Sequence, residues 1–188
     1  MLDTEAMRKL TNSTYISLDG IIQDPQDWPS GDVSDDRGST IQTELLLSCE
    51  IQIMGRRTYD GFAMVWPTRS GDPYSDHINA MRKIVFSSQV TDPQWDNTDV
   101  IADDPVQAVR DLKAQDGGDI VQYGFGHLAY QLIEAGLLDE LRLWLHPFFV
   151  GHGGPQDLLY RDTATTSLEL ADTLALKSGI VILTYTRT

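Results

Sequence analysis

Residues 51–58 read Ile51-Gln52-Ile53-Met54-Gly55-Arg56-Arg57-Thr58, an apolar strand-like run broken by a glycine and two arginines. The same design recurs twice. Ile84-Val85-Phe86 leads into Ser87-Ser88, and Ile120-Val121-Gln122-Tyr123 leads into Gly124-Phe125-Gly126-His127. Glycine lets the backbone approach a ligand, and a helix opening after such a turn aims unpaired N–H groups and partial positive charge at it. Arginine and serine add charge-assisted and hydroxyl donors. Three such turns on neighbouring strand ends suit one large ligand with several phosphates. That points to a dinucleotide carrying an extra phosphate.

Working outward, Thr11 to Leu18 reads as the first strand and ends in the turn pair Asp19-Gly20. Gln23 to Ser39 reads as a polar loop in which Trp28 needs a partner surface. Ser39-x-x-Gln42 resembles a capping box, which predicts a helix with Ile41, Leu45 and Cys49 on one face. Strand 51–54 is followed by a helix from Arg57 towards Met64, stopped by Pro67, and 68–79 reads as loop. Strands are expected at 82–86 and at Val100-Ile101. Asp104 caps a helix with Pro105 at its first position, ended by Gly117-Gly118. Strand 119–123 leads through the glycine turn into helix 127–135, closed by Gly136. Leu141 to Val150 reads as a long strand, and 168–176 with 180–187 as an antiparallel hairpin. Alternating strands and helices imply parallel βαβ units with helices on both faces of the sheet. In such sheets ligands bind at the carboxyl ends of the strands, where all three turns fall.

A chain of 188 residues is comfortable as one domain, 1–188, around a single core. No apolar run is long enough to span a membrane, and the first ten residues lack the apolar core of a secretory peptide. The single cysteine, Cys49, excludes an internal disulfide and predicts a buried inert thiol in a cytoplasmic protein. The net charge of −14 argues against a nucleic acid or an acidic membrane as partner. An acidic chain that binds phosphates must do so with local donors, which singles out Arg56 and Arg57. Cations at a helix start oppose its dipole, so the position is poor for stability and good for an anion.

Gly124-x-Gly126-x-x-Ala129 fits the dinucleotide fingerprint, but it follows the fifth strand rather than the first, so the topology is not an ordinary Rossmann one. His127, at a helix start, reads as structural or close to the ligand, and His146 as packed or capping. His77 and His152 have no partner at metal-ligand spacing, so no metal site is expected. No Gly-x-Ser-x-Gly elbow is present, which argues against a serine hydrolase.

The ordered set of motifs resembles the dihydrofolate reductase superfamily, and within it the reductase domain of bifunctional riboflavin-biosynthesis proteins. The matching pieces are Ser17-Leu18-Asp19-Gly20, Met54-Gly55-Arg56-Arg57-Thr58-Tyr59, Phe86-Ser87-Ser88 and Gly124-Phe125-Gly126-His127-Leu128. Gly136 to Leu143, Pro147 and Gly151-x-Gly153 complete the series. The resemblance implies an α/β fold of the dihydrofolate reductase type: a three-layer sandwich on a mostly parallel eight-stranded sheet, edged by an antiparallel C-terminal hairpin. It also implies an NADPH-dependent reductase that acts on a small molecule as a homodimer.

By the same resemblance, Gly55, Arg56, Thr58, Ser87 and Ser88 hold the adenosine-side phosphates, with Arg57 a close alternative to Arg56. Gly124, Phe125, Gly126, His127 and Leu128 hold the pyrophosphate, and Thr14, Asp19, Gly20 and Ile21 lie by the nicotinamide. Asp19 and one of Asp32, Asp35 or Asp36 are candidates to bind substrate or relay a proton. The substrate is read as a small heterocycle or sugar-linked compound, like the aminouracil of riboflavin biosynthesis. The basic set that would grip a ribosyl phosphate is not identifiable, and the deaminase domain of the bifunctional proteins is absent, so a relative with another small substrate is expected. Dihydrofolate reduction and catalytically silent NADP(H) binding are the alternatives.

Overall fold

The computed structural model describes residues 7–29 and 37–188. Eight strands form one sheet: β1 (Leu10–Ser17), β2 (Cys49–Gly55), β3 (Arg82–Phe86), β4 (Thr98–Ile101), β5 (Asp119–Tyr123), β6 (Glu140–His146), β7 (Leu168–Ala175) and β8 (Val181–Arg187). Their spatial order is β4-β3-β2-β5-β1-β6-β8-β7. The first six run parallel, and β8 joins β6 antiparallel with β7 on its outer side. This is the expected eight-stranded, mostly parallel sheet with an antiparallel hairpin edge.

Five α-helices cover the sheet: α1 (Arg37–Leu47), α2 (Arg56–Val65), α3 (Pro73–Ala80), α4 (Pro105–Lys113) and α5 (His127–Glu134). The alternation of strand side chains sorts the core into two layers. Ile51, Ile53, Ile84 and Ile120 pack with Val109, Ala129 and Leu132 of α4 and α5. Met54, Val85, Val121 and Tyr123 pack with Leu46, Tyr59 and Ile78 of α1, α2 and α3. A smaller cluster of Trp144, Leu176 and Ile182 extends the second layer under the hairpin. Among the described residues no helix is long and apolar enough to cross a membrane.

Several boundaries differ from the sequence reading. The stretch 68–79 is not all loop, because Asp72 caps α3 by accepting from the backbone N–H groups of Tyr74 and Ser75, and Pro73 supplies its first residue. Helix α1 begins by Arg37, so Ser39 lies inside it rather than at its cap. Cys49 opens β2 instead of closing that helix, and burial pushes its thiol up to about 11. Strand β6 stops at His146, four residues short of expectation, because Pro147 has no N–H for the ladder. Trp28 finds its partner surface edge-on to His146 and Phe148.

Candidate functional site

The topology sets β3, β2 and β5 side by side, so the serine turn, the arginine turn and the glycine turn occupy three adjacent carboxyl ends. Helix α2 starts directly after β2 and α5 directly after the turn that follows β5. Both open on glycine, Gly55 and Gly126, and no side chain caps either one. Nothing lies within 4 Å of where a Cβ would stand at Gly55 or Gly126, so the space in front of both helices is open. Gly124 is different. Its φ is +77, and a Cβ there would collide with Thr58 Oγ1, so the glycine turn and the first turn of α2 are in close contact.

A buried hydrogen-bond chain fixes the glycine turn from below. Asn12 Nδ2 donates to Gln122 Oε1 at 3.0 Å and to the Gly124 carbonyl at 2.9 Å. Thr14 Oγ1 donates to Asn12 Oδ1 at 2.7 Å, so the Thr14 hydroxyl reaches the turn through Asn12. Phe125 is buried in the α4–α5 layer, Leu128 packs on the same layer, and His127 is exposed at the first turn of α5. On the β3 side, Ser87 Oγ accepts from the N–H groups of Gln89 and Val90, which shapes the turn and leaves Ser88 exposed.

The two arginines diverge. Arg56 reaches towards β3, bonding the side chain of Gln89 and pairing with Asp60 at 3.3 Å, and it is half-exposed beside the serine turn. Arg57 reaches the other way. Its guanidinium holds Asp24 at 2.7 Å and Asp157 at 2.8 Å, tying the loop after β1 to the loop before β7. Gln23 of that first loop also donates to the Phe125 carbonyl at 3.5 Å, and Ile21 forms a β-bridge with Leu158. Gly20 takes a φ of +82 in the turn that starts the loop.

Asp19 is engaged as a brace. Its carboxylate accepts from the Ser17 hydroxyl, from Gly151 N at 2.8 Å and from Val150 N at 3.1 Å. These donors, the Ser17 hydroxyl first, hold it down at about 2, so it is ionised at neutral pH and is not a proton donor there. The other acids proposed beside it, Asp32, Asp35 and Asp36, lie outside the described residues.

On the far side of β1, an open cleft of about 670 Å3 lies between the sheet, α1 and the start of α3. Tyr15 and His146, at the carboxyl ends of β1 and β6, face it with Trp144, Trp66 and Tyr74. Gln42 of α1 lines it too, donating to Ser13 Oγ at 3.2 Å and Tyr15 Oη at 3.5 Å. His146 sits in a ring of aromatics, 4.9 Å from Tyr15 and 5.3 Å from Trp28. Burial pulls its imidazole down to about 4, so it is neutral at physiological pH. Its Nε2 is buried and has no hydrogen-bond partner among the described residues.

The three turns therefore share adjacent strand ends, and the cleft adjoins them across β1. Asn12 and the cleft-lining aromatics escaped the sequence reading. Asn12 resembles any strand residue until Gln122 of β5, 110 residues on, is placed opposite it. The cleft is assembled from β1, α1, α3 and β6, with no local motif in any of them.

The family model described as the RibD C-terminal domain matches residues 8–182. YyaP of Bacillus subtilis strain 168 is 29% identical over 195 residues, covering 98% of both chains. A Shewanella sp. PV-4 protein assigned to riboflavin biosynthesis has a solved structure with a TM-score of 0.72 at 22% identity, covering 96% of this chain and 99% of that one. A pyrimidine reductase-like protein from Corynebacterium diphtheriae follows at 0.62 and 15%, covering 95% of this chain and 91% of that one. RibD of Acinetobacter baumannii gives 0.61 at 13%, covering 98% of this chain and 59% of that one. These solved structures share the fold.

Proposed function

The chain belongs to the RibD C-terminal domain family, and from that premise we propose that it is an NADPH-dependent reductase of a small heterocyclic or sugar-linked substrate. The observation that carries the reading is the pair of uncapped helix N-termini, at Gly55 and Gly126, on adjacent strand ends with Arg56 beside them. Open N–H groups, open space and a nearby guanidinium fit a pyrophosphate and a further phosphate. When bound, NADPH would supply the hydride.

The chain's own residues divide the remaining work. The α2 and α5 N-termini bind phosphate oxygens, and Arg56 with Ser88 engages the adenosine-side phosphate. Asn12 holds the glycine turn in place, so it is a positioning residue. Arg57 fixes the loop carrying Ile21 across the strand ends, and Asp19 braces the turn at Gly20. The cleft beside β1 takes and orients the substrate. A cytoplasmic homodimer of single-domain chains completes the proposal; exposed Leu18 and Phe149, on adjoining turns, offer a second copy an apolar surface.

Calorimetric titration with NADPH and then NADH, on wild type and Arg56→Ala, tests it. Micromolar binding of NADPH that weakens by about 1.5–3 kcal/mol in the variant, the worth of a charged hydrogen bond, is expected. Failure to bind either dinucleotide would sink the proposal.

A further inference from the structure

Arg57 joins three segments that are far apart in the chain. Helix α2, which carries it, follows β2, and the loop that carries Asp24 follows β1. Strand β5 lies between β2 and β1 in the sheet, so the Arg57 Nη2–Asp24 Oδ2 bond of 2.7 Å bridges the end of β5 and its glycine turn. Two more contacts close the same span. Gln23, next to Asp24, donates to the Phe125 carbonyl at 3.5 Å, and a Cβ at Gly124 would meet Thr58 Oγ1, next to Arg57. The other terminal nitrogen of Arg57, Nη1, holds Asp157 Oδ1 at 2.8 Å. Asp157 is itself fixed, since its second oxygen accepts from Gly154 N at 2.8 Å and its carbonyl accepts from Ile22 N at 2.8 Å.

The two ends of this triad differ in exposure. The Asp157 side chain is 14% exposed, whereas Asp24 is 53% and Arg57 is 51% exposed. A half-exposed pair is weak and screened by salt, so the Asp24 end is the one that opens. The backbone is nevertheless shaped to make it. Asp24 holds φ 53 and ψ 46, in the left-handed region, at the start of the short helical turn Pro25–Asp27. Its side chain caps no N–H group of that turn, unlike Asp104, which is also left-handed and caps α4. The carboxylate is turned to Arg57 instead. A dinucleotide that reaches from the serine turn after β3 to the side of β1 must cross the line that Arg57 and Asp24 close.

We infer that Arg57 and Asp24 form a salt-sensitive gate across this path, hinged on Asp157, and that it governs how fast a dinucleotide enters and leaves more than how tightly it is held. The inference rests on the reductase reading, because it concerns exchange at that proposed site. Entry and release both require the Arg57–Asp24 pair to part, while the Arg57–Asp157 pair keeps the guanidinium in place to remake it. Weakening the gate therefore speeds both directions. Removing a carboxylate that merely repelled an anion would act differently: it would speed entry by steering and slow release.

Stopped-flow fluorescence of NADPH binding and displacement, on wild type and Asp24→Asn, tests this. Asparagine keeps the size of the side chain and tolerates the left-handed backbone, but it carries no charge. Both rate constants should rise by about two- to fivefold, as loss of one exposed ion pair predicts. The dissociation constant should move by less than about twofold, and the melting temperature should stay in place. Raising NaCl from about 50 mM to about 500 mM should bring the release rates of variant and wild type together, since salt opens the wild-type pair. Asp104→Asn, at the other left-handed aspartate, should keep both wild-type rates. Release that stays at the wild-type rate in folded Asp24→Asn, release that slows while entry speeds, or equal acceleration in Asp104→Asn would overturn the gate and leave the reductase reading intact. NADPH held by neither wild type nor variant would sink the reductase reading, and the gate with it.

Discussion

Two pairs of helices begin in opposite ways. Helices α3 and α4 open on aspartates: Asp72 accepts from the backbone N–H groups of Tyr74 and Ser75, and Asp104 from that of Gln107. Helices α2 and α5 open on glycines, and no side chain caps them. The chain is rich in aspartate, so the omission at Gly55 and Gly126 does not reflect a shortage of caps. A cap stabilises a helix start by about 1 kcal/mol. In the proposed function, two starts without one, on adjacent strands and facing open space, offer their N–H groups and dipole to an anion from outside the chain. On that proposal, the difference teaches where this fold favours its own stability and where it favours a ligand.

Making the open pair resemble the capped pair should have the largest effect. Gly55 has φ −83 and ψ 169, an extended conformation that aspartate adopts at a helix start without strain. Gly55→Asp should keep or raise the melting temperature while lowering NADPH affinity by about a hundredfold or more, since juxtaposed like charges cost several kcal/mol. Differential scanning fluorimetry and calorimetry read the two sides. A stable variant that binds NADPH like wild type would remove the α2 N-terminus from the site.

The arginines sharpen the comparison at one of those open ends. Arg56 leans to the serine turn and Arg57 to two carboxylates. Arg56→Ala should weaken NADPH and leave NADH nearly unchanged. Arg57→Ala should weaken both alike, and by less, because half-exposed ion pairs are worth at most about 1 kcal/mol each. The four affinities, measured side by side, decide between the neighbours. Selective loss of NADPH in the Arg57 variant would reverse the assignment.

The strand ends were legible because a single short segment carries both the strand and its turn. Ile51 to Thr58 contains an alternating apolar run, a glycine and two cations, and the sheet order only had to bring three such segments together. Helix α3 was not legible, since Pro73 reads as a breaker until Asp72 is seen to cap the helix that begins there. Adjacent glycine and polar residues, Ser70 and Gly71, deepened that impression. The cleft was hidden for another reason. Tyr15, Gln42, Trp66 and His146 are distant in sequence, and each is an ordinary residue of its own element until the fold faces them together. Asp19 was legible as a turn residue after the first strand but not as a brace, because its donors at Val150 and Gly151 lie more than 130 residues on.

The converse change is smaller. Asp104 Oδ1 accepts from Gln107 N at 2.9 Å, and the residue holds φ 38. Asp104→Ala removes the cap and places alanine in the left-handed region, which should cost about 1–3 kcal/mol of stability. NADPH affinity should not move, since the lost cap serves the start of α4 and not the open starts of α2 and α5. A denaturant titration and a calorimetric titration on the same preparation check both halves. Lost affinity at unchanged stability would mean that capped and open starts are not separate in function.

Asp19 gives the smallest and most local effect, and it inverts the comparison: here the chain's own carboxylate takes the N–H groups of a loop. Its pKa falls from 3.8 to about 2 in the folded protein, so the folded state binds the proton less readily than the unfolded one. Its contribution to stability is therefore complete above the unfolded value and is lost as pH falls through the folded one. Asn at this position keeps an acceptor but cannot titrate, so Asp19→Asn should be less stable than wild type at neutral pH. The gap between the two should narrow as pH drops from about 4 towards about 2. Urea titrations at stepped pH would follow it, with amide exchange at Val150 and Gly151 as the local reading. A gap that stays constant down to that range would show that the N–H groups of Val150 and Gly151 do not need the charge, and that the oxygen atom alone holds the turn.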